Sequence, residues 1–250
     1  VLLGVSMLLS KLQNEFSGYV KLFFQPNEEG EGGAEPMIKE GHMENPKVDV
    51  MIGLHVSENY NVSEARFCYG TMQASSDDIK IIVKGYSSHA AHPETGVDSI
   101  LIACQIVNNL QSIASRNVAP TDSIALSLGK INGGTIANAL AETVVLEGTL
   151  RTLSNETRQK VLNNIKRICE NVAIAYGGSA ILEVTPSYPP LVNNEKMQET
   201  FDDWKDRFEN EITRVKNGGK FTNDDKYKYA EYSISTERIS VSTPYIFFEV

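Results

Sequence analysis

The stretch that decides the fold begins at IKIIV, residues 79–83, where Ile79, Ile81 and Val83 occupy every second position. Side chains of a strand alternate between its two faces, so this spacing predicts a half-buried strand. Working outward, Val97, Leu101, Cys104, Val107 and Leu110 recur at helical spacing. Ser123 to Leu128 alternates again, as does Val144 to Leu150. A second helical pattern fills Glu156 to Tyr176, with Val161, Ile165, Ile168 and Val172 on one face, and Gly177-Gly178 stops it. Ala180 to Val184 supplies a last strand. The order β-α-β-β-α-β is that of a ferredoxin-like α+β unit. It is expected at residues 75–186, inserted between two parts of another domain, with Pro186, Pro189 and Pro190 marking the exit.

The flanking domain is expected to comprise residues 1–74 and 187–250. VLLGVSMLLSKL, the opening stretch, reads as a buried core helix. It is too short to span a membrane, and neither a basic region before it nor a small-residue cleavage site after it marks a signal peptide. Tyr19 to Phe24 and Val48 to Leu54 are apolar runs separated by a helix-like stretch ending near Gly41. Alternation of helices with apolar strands predicts an α/β layer with a largely parallel sheet. Asp202 to Arg214 has the pattern of a charged amphipathic helix.

Composition narrows the function classes. The 250 residues are 41% hydrophobic and 22% charged, an ordinary globular balance. A net charge of -9 without a Lys/Arg stripe argues against nucleic acid as a partner. Cys68, Cys104 and Cys169 are scattered and odd in number, which fits free thiols in a reducing, cytoplasmic setting.

Chemistry concentrates in QPNEEGEGGA, residues 25–34, where Glu28 and Glu29 follow an apolar run and precede glycines that permit a tight turn. One carboxylate of such a pair can bind a cation while its neighbour handles a proton from metal-bound water. A solvated acidic turn is the rival reading. His55 closes the run MIGLHV, and if the strands are parallel neighbours it faces the same cleft as Glu29. His89 and His92 lie in SSHAAHP, where Pro93 indicates a turn; such a histidine can stabilise an oxyanion or be an exposed loop residue. NGGTIANALAET, residues 132–143, is a glycine turn leading to Asn138, and no Walker lysine follows it. Arg151 ends the strand of GTLRT, where a guanidinium can grip a carboxylate or simply face solvent. His42 reads as a surface residue.

QPNEEGEGGA, GLH, SSHAAHPETGVDSI, NGGTIANALAETVVLEGTLRT and SYPPLVNN occur in the order and spacing of one family. The chain resembles, over about residues 1–197, the zinc-type peptidases and amidohydrolases that include aminoacylases, hippurate hydrolases and auxin-conjugate hydrolases. The resemblance implies a metallopeptidase-like α/β catalytic domain with a mixed sheet, interrupted by a ferredoxin-like lid that forms a homodimer. It implies two divalent metal ions, zinc or manganese, and hydrolysis of the amide bond of an N-acyl-L-amino acid. Within it, Glu28 is similar to the general base, Glu29 and His55 to metal ligands, and His89 to a lid histidine that reaches the partner subunit's site. Asn138 and Arg151 resemble lid residues that hold the substrate's carboxylate. Family members also carry a His-Cys-Gly-His-Asp-type segment upstream and a Gly-x-Glu-Asp-Phe-type segment and metal histidine near the C-terminus. This sequence contains neither segment and no histidine after His92, as a copy truncated at both ends would. The alternatives are a remnant that only dimerises through its lid, and a dipeptidase or deacetylase of the same family.

Overall fold

The computed structural model describes residues 2–15, 17–27, 32–56, 68, 70–194 and 244–249. In chain order the elements begin with α1 (Leu2–Leu12), α2 (Ala34–Lys39), β1 (Met51–Val56) and β2 (Thr71–Gln73). They continue with β3 (Asp77–Lys84), α3 (Ser99–Ser112), β4 (Ile124–Gly133) and β5 (Thr143–Thr152). The last are α4 (Asn155–Ala175), β6 (Ser179–Pro186), β7 (Leu191–Val192) and β8 (Pro244–Glu249). Two compact units result: Gly70–Val192, and Val1–Tyr69 together with Asn193–Val250.

In the unit Gly70–Val192 an antiparallel sheet runs in the order β4-β5-β3-β6. Ile79, Ile81 and Val83 of β3 and Val144, Leu146 and Leu150 of β5 are buried against Ile102, Ile106 and Leu110 of α3 and Val161 and Ile165 of α4. Period-2 alternation puts Lys80, Glu147 and Glu183 on the opposite face. There Lys80 Nζ lies 3.1 Å from Glu183 Oε2, and Lys130 pairs with Glu147. The β-α-β-β-α-β order and the strand order are those of a ferredoxin-like fold. β2 and β7 pair antiparallel where the chain enters and leaves this unit.

Local signals set the helix ends. Asp98 Oδ1 accepts hydrogen bonds from the amides of Ile100 (2.9 Å) and Leu101 (3.1 Å), capping α3. Ser154 Oγ accepts from Thr157 N at 3.1 Å and caps α4. Gly177, at φ +80°, terminates α4, and the Gly178 amide returns to the Ala173 carbonyl at 2.9 Å. Buried polar groups find partners. Asp77 is fully buried and accepts from Arg158 Nε at 2.7 Å and from its second guanidinium nitrogen. The hydrogen bond to Asp77 holds the Arg158 pKa above its ordinary value, against the lowering effect of burial. Ser75 and Thr152 share a buried hydroxyl–hydroxyl bond of 2.8 Å.

Several expectations change. α3 turns Ile102, Ile106 and Leu110 inward, and leaves Leu101 and Cys104 of the predicted stripe exposed. Its sequence carries two apolar stripes, and periodicity does not choose between them. α1 forms as expected, but none of its residues is buried; Leu3 is 69% and Met7 66% exposed. Tyr19 to Phe24 forms no strand. β1 starts at Met51 and pairs antiparallel with β8, and every ladder among the described residues is antiparallel, so the largely parallel sheet is not found there. An apolar run specifies burial; it does not specify the neighbour whose ladder makes it a strand. Asp202 to Arg214 lies outside the described residues.

Arg158→Met strands a buried carboxylate, and removing one partner of a buried pair costs ~3 kcal/mol or more. Urea unfolding of Arg158→Met should show that loss, whereas Asp77→Leu combined with Arg158→Met should recover most of it.

Candidate functional site

The residues flagged by sequence fall at three places. The first is the end of the Gly70–Val192 sheet where β3 finishes and β5 begins. A Cβ on Gly85 would stand 2.1 Å from the Val97 carbonyl oxygen, so only glycine lets the chain leave β3 this close to the lead-in of α3. Tyr86 and Val97 then exchange two backbone hydrogen bonds of 2.9 Å each. His89 bridges Ala139, the Ala90 amide donates to the Asn138 carbonyl at 2.9 Å, and the Leu140 amide donates to the Ser88 carbonyl at 2.9 Å. A backbone zipper thus lays the His89 segment against the Asn138 segment, with both residues exposed.

The His89 ring has a defined polarity. The Ala91 amide donates to His89 Nδ1 at 3.1 Å, which makes Nδ1 the acceptor and places the proton of the neutral ring on Nε2. His89 therefore presents an N–H donor, the group that stabilises an oxyanion. His92 is turned to local work: its carbonyl accepts from Thr95 Oγ1 at 2.8 Å, and its Nδ1 lies 3.6 Å from Glu94 Oε1. The amide of Ala91 has no sequence signal, because backbone donors carry no residue code.

The second place is the far end of β5. Arg151 is exposed there, opposite Ala125 of β4. From Thr143, at the Asn138 end, to Arg151 is eight strand steps, or ~27 Å at the usual rise. One unit therefore brings His89 and Asn138 together and holds Arg151 away from them.

The third place is in the other unit. Glu28 and Glu29 lie outside the described residues. On either side of them, Asn27 has φ 54° and its carbonyl accepts from the Gly32 amide at 3.0 Å. A Cβ on Gly33 would stand 2.2 Å from the Pro26 carbonyl oxygen, so glycine is required there. His55 lies in β1, half-buried, opposite Tyr245. Among the described residues no three His, Cys, Asp or Glu side chains converge. Imidazole and carboxylate are donors that zinc and manganese accept, so His55 with Glu29 fits such a metal in donor chemistry.

The remaining candidates are quieter. Burial pushes the Cys169 thiol up to about 12, which keeps it protonated and unreactive. His42, exposed as expected, lies 3.1 Å from Glu40. No helix among the described residues is long and apolar enough to cross a membrane.

Comparison with known proteins gives this geometry a setting. The family model of the M20 peptidase dimerisation domain matches residues 71–177. The chain is 36% identical over 199 residues to the N-acetyldiaminopimelate deacetylase of Priestia megaterium, covering 80% of this chain and 53% of that protein. Its identity to the Bacillus cytotoxicus deacetylase of the same description is 35% over 199 residues, with the same coverage. The chain thus spans about half the length of these curated relatives. Among solved structures, a protein of methicillin-resistant Staphylococcus aureus described as an aminohydrolase matches with a TM-score of 0.71 at 27% identity, over 77% of this chain and 49% of its own. A Bacillus subtilis protein described as a dinuclear metal-binding peptidase of the M20 family matches with a TM-score of 0.61 at 26% identity, over 78% and 48%.

The hydrogen bond at His89 predicts that its neutral ring is the Nε2–H tautomer. Nitrogen-15 NMR of the imidazole should show a protonated Nε2 and an unprotonated Nδ1; the opposite pattern would remove the donor from the exposed position.

Proposed function

We propose, because residues 71–177 match the M20 peptidase dimerisation-domain model, that a protein containing this chain is a metal-dependent amidohydrolase cleaving the amide bond of N-acyl-L-amino acids. The observation that supports this reading is the zipper that joins the segment carrying the His89 donor to the segment carrying Asn138. N-acetyldiaminopimelate, the substrate named for the relatives, is itself an N-acyl amino acid and the first compound to test.

Each residue takes a role. Glu29 and His55 hold metal, and a site of two zinc or manganese ions would polarise the scissile carbonyl and lower the pKa of a bound water. Glu28 takes the proton from the attacking water and passes it to the leaving amine. His89 donates Nε2–H to the oxygen that becomes negative, and Asn138 helps to hold the substrate's carboxylate. Arg151 grips the substrate's carboxylate through two parallel hydrogen bonds.

The ~27 Å from Thr143 to Arg151 along β5 bears on assembly. A substrate the size of an acyl amino acid cannot touch Arg151 and His89 of one unit, so both serve one substrate only if two copies contribute. A homodimer supplies that: His89 and Asn138 come from one subunit and Arg151 from the other. Among the described residues the outer edge of β4 has no partner in the sheet, and beside it lies the second apolar stripe of α3. Cys104, Val107, Leu128 and Ile131 line a groove of about 330 Å³ there. A second copy of this unit can extend the sheet along that edge and cover the groove.

The test uses the full-length protein that contains this chain. Glu28→Gln should lower hydrolysis of N-acetyldiaminopimelate by ~10²-fold or more while metal content holds. Loss of metal in Glu28→Gln but not in Glu29→Gln would exchange the two roles. Mixing inactive His89→Ala with inactive Glu28→Gln, with subunit exchange demonstrated, should restore part of the activity, because one site of the mixed dimer then has neither defect. No recovery would end the proposal that His89 acts across the interface, and a dimer with neither metal nor turnover would leave only the association role.

A further inference from the structure

We propose that Ser99 is a positioning residue for the His89–Asn138 pair, its hydroxyl clamping the segment that carries Asn138. The proposal rests on the reading that these two side chains meet the substrate. Residues 134–142, between β4 and β5, contain no strand or helix of their own, so their conformation is set by bonds to neighbouring segments. Three such bonds join backbone groups: Ala90 N to Asn138 O at 2.9 Å, Leu140 N to Ser88 O at 2.9 Å, and Gly85 N to Glu142 O at 2.8 Å. The Ser87 hydroxyl donates to the Leu140 carbonyl at 2.9 Å in an exposed setting, where water competes. The Ser99 hydroxyl differs from it. It donates to the Ala141 carbonyl from a fully buried position, and Ala141 itself is only 4% exposed.

Burial decides which side-chain bond matters. An exposed donor that is lost is replaced by water, whereas a buried carbonyl that loses its donor bears the full cost of desolvation. Ser99 is also free for this work. A serine at a helix start ordinarily caps its own helix, but Asp98 already accepts from the Ile100 and Leu101 amides. That cap fixes the first turn of α3, so Ser99 reaches Ala141 from a rigid base. The Asn138 segment is therefore held from two sides, by the His89 segment through the zipper and by α3 through Ser99.

The test compares Ser99→Ala with Ser99→Cys by amide hydrogen exchange of the 250-residue chain. Cysteine fills nearly the same space but donates weakly, so it separates lost packing from the lost hydrogen bond. Both variants should speed exchange of the Ala90 and Leu140 amides by about 10-fold, the scale of one lost buried hydrogen bond, while the Ile81 and Leu146 amides keep their rates. Unchanged rates at Ala90 and Leu140, equal acceleration at Ile81 and Leu146, or wild-type rates in Ser99→Cys would each overturn the clamp. In the full-length protein, Ser99→Ala should lower kcat about 10-fold at constant metal content. Full kcat in Ser99→Ala beside a disabled His89→Ala would also overturn it. Full kcat in His89→Ala would instead end the catalytic reading of that histidine, and the exchange rates would still decide the clamp.

Discussion

The Gly70–Val192 unit depends on one constraint: both of its helices cover the same face of its sheet. Ile79, Ile81, Val83, Val144, Leu146 and Leu150 must all point at α3 and α4. A slip of one residue between β3 and β5 would turn one row to the other face and bring Lys80 or Glu147 inward, so burial specifies the register. The paired Lys80–Glu183 and Lys130–Glu147 charges on the open face are exposed and add little energy of their own. They mark that face as one for water. Register in turn fixes where β3 ends and β5 begins, and hence that the turn after one meets the turn before the other.

The same geometry divides labour along β5. Strands are stiff rulers, and a ten-residue strand with candidate groups beyond one end and at the other cannot fold them together. Arg151 and the His89–Asn138 pair are separated by the very sheet that positions each of them. In the proposed homodimer, symmetry would deliver the missing end of one ruler to the other without any change in the unit itself.

Legibility in the sequence followed locality. The strands and helices of Gly70–Val192 were readable because each carries its own period: alternation at Ile79 to Val83, a helical stripe at Val161, Ile165 and Ile168, and a glycine stop at Gly177. The turn character of SSHAAHP was readable from Pro93. Neither the absence of a strand at Tyr19 to Phe24 nor the direction of β1's neighbour was readable, since a ladder belongs to two segments distant in sequence. For α3 the sequence offered two apolar stripes, Leu101–Cys104 and Ile102–Ile106, and only the three-dimensional sheet chose between them. Asp77 and Arg158 are 81 positions apart, and nothing in either neighbourhood announces a buried pair. The candidate site divides likewise: His89, Asn138 and Arg151 stood out as residue types in motifs, while Ser99 and the Ala91 amide act through a common helix-start serine and a backbone group.

α3 joins these threads. Its inward stripe seals the core, its first turn holds the Asn138 segment through Ser99, and its outward stripe lines the groove beside the free edge of β4. A helix is stiff over 14 residues, so a shift of one of these surfaces is felt at the other two. A copy covering the outer stripe, as proposed above, would therefore bear on the base from which Ser99 reaches Ala141. With a second copy as the proposed cover, association and the support of the Asn138 segment would both depend on the position of one helix. On that proposal, a unit without its partner would lose the partner's side chains and also part of the support that Ser99 gives to the Ala141 carbonyl.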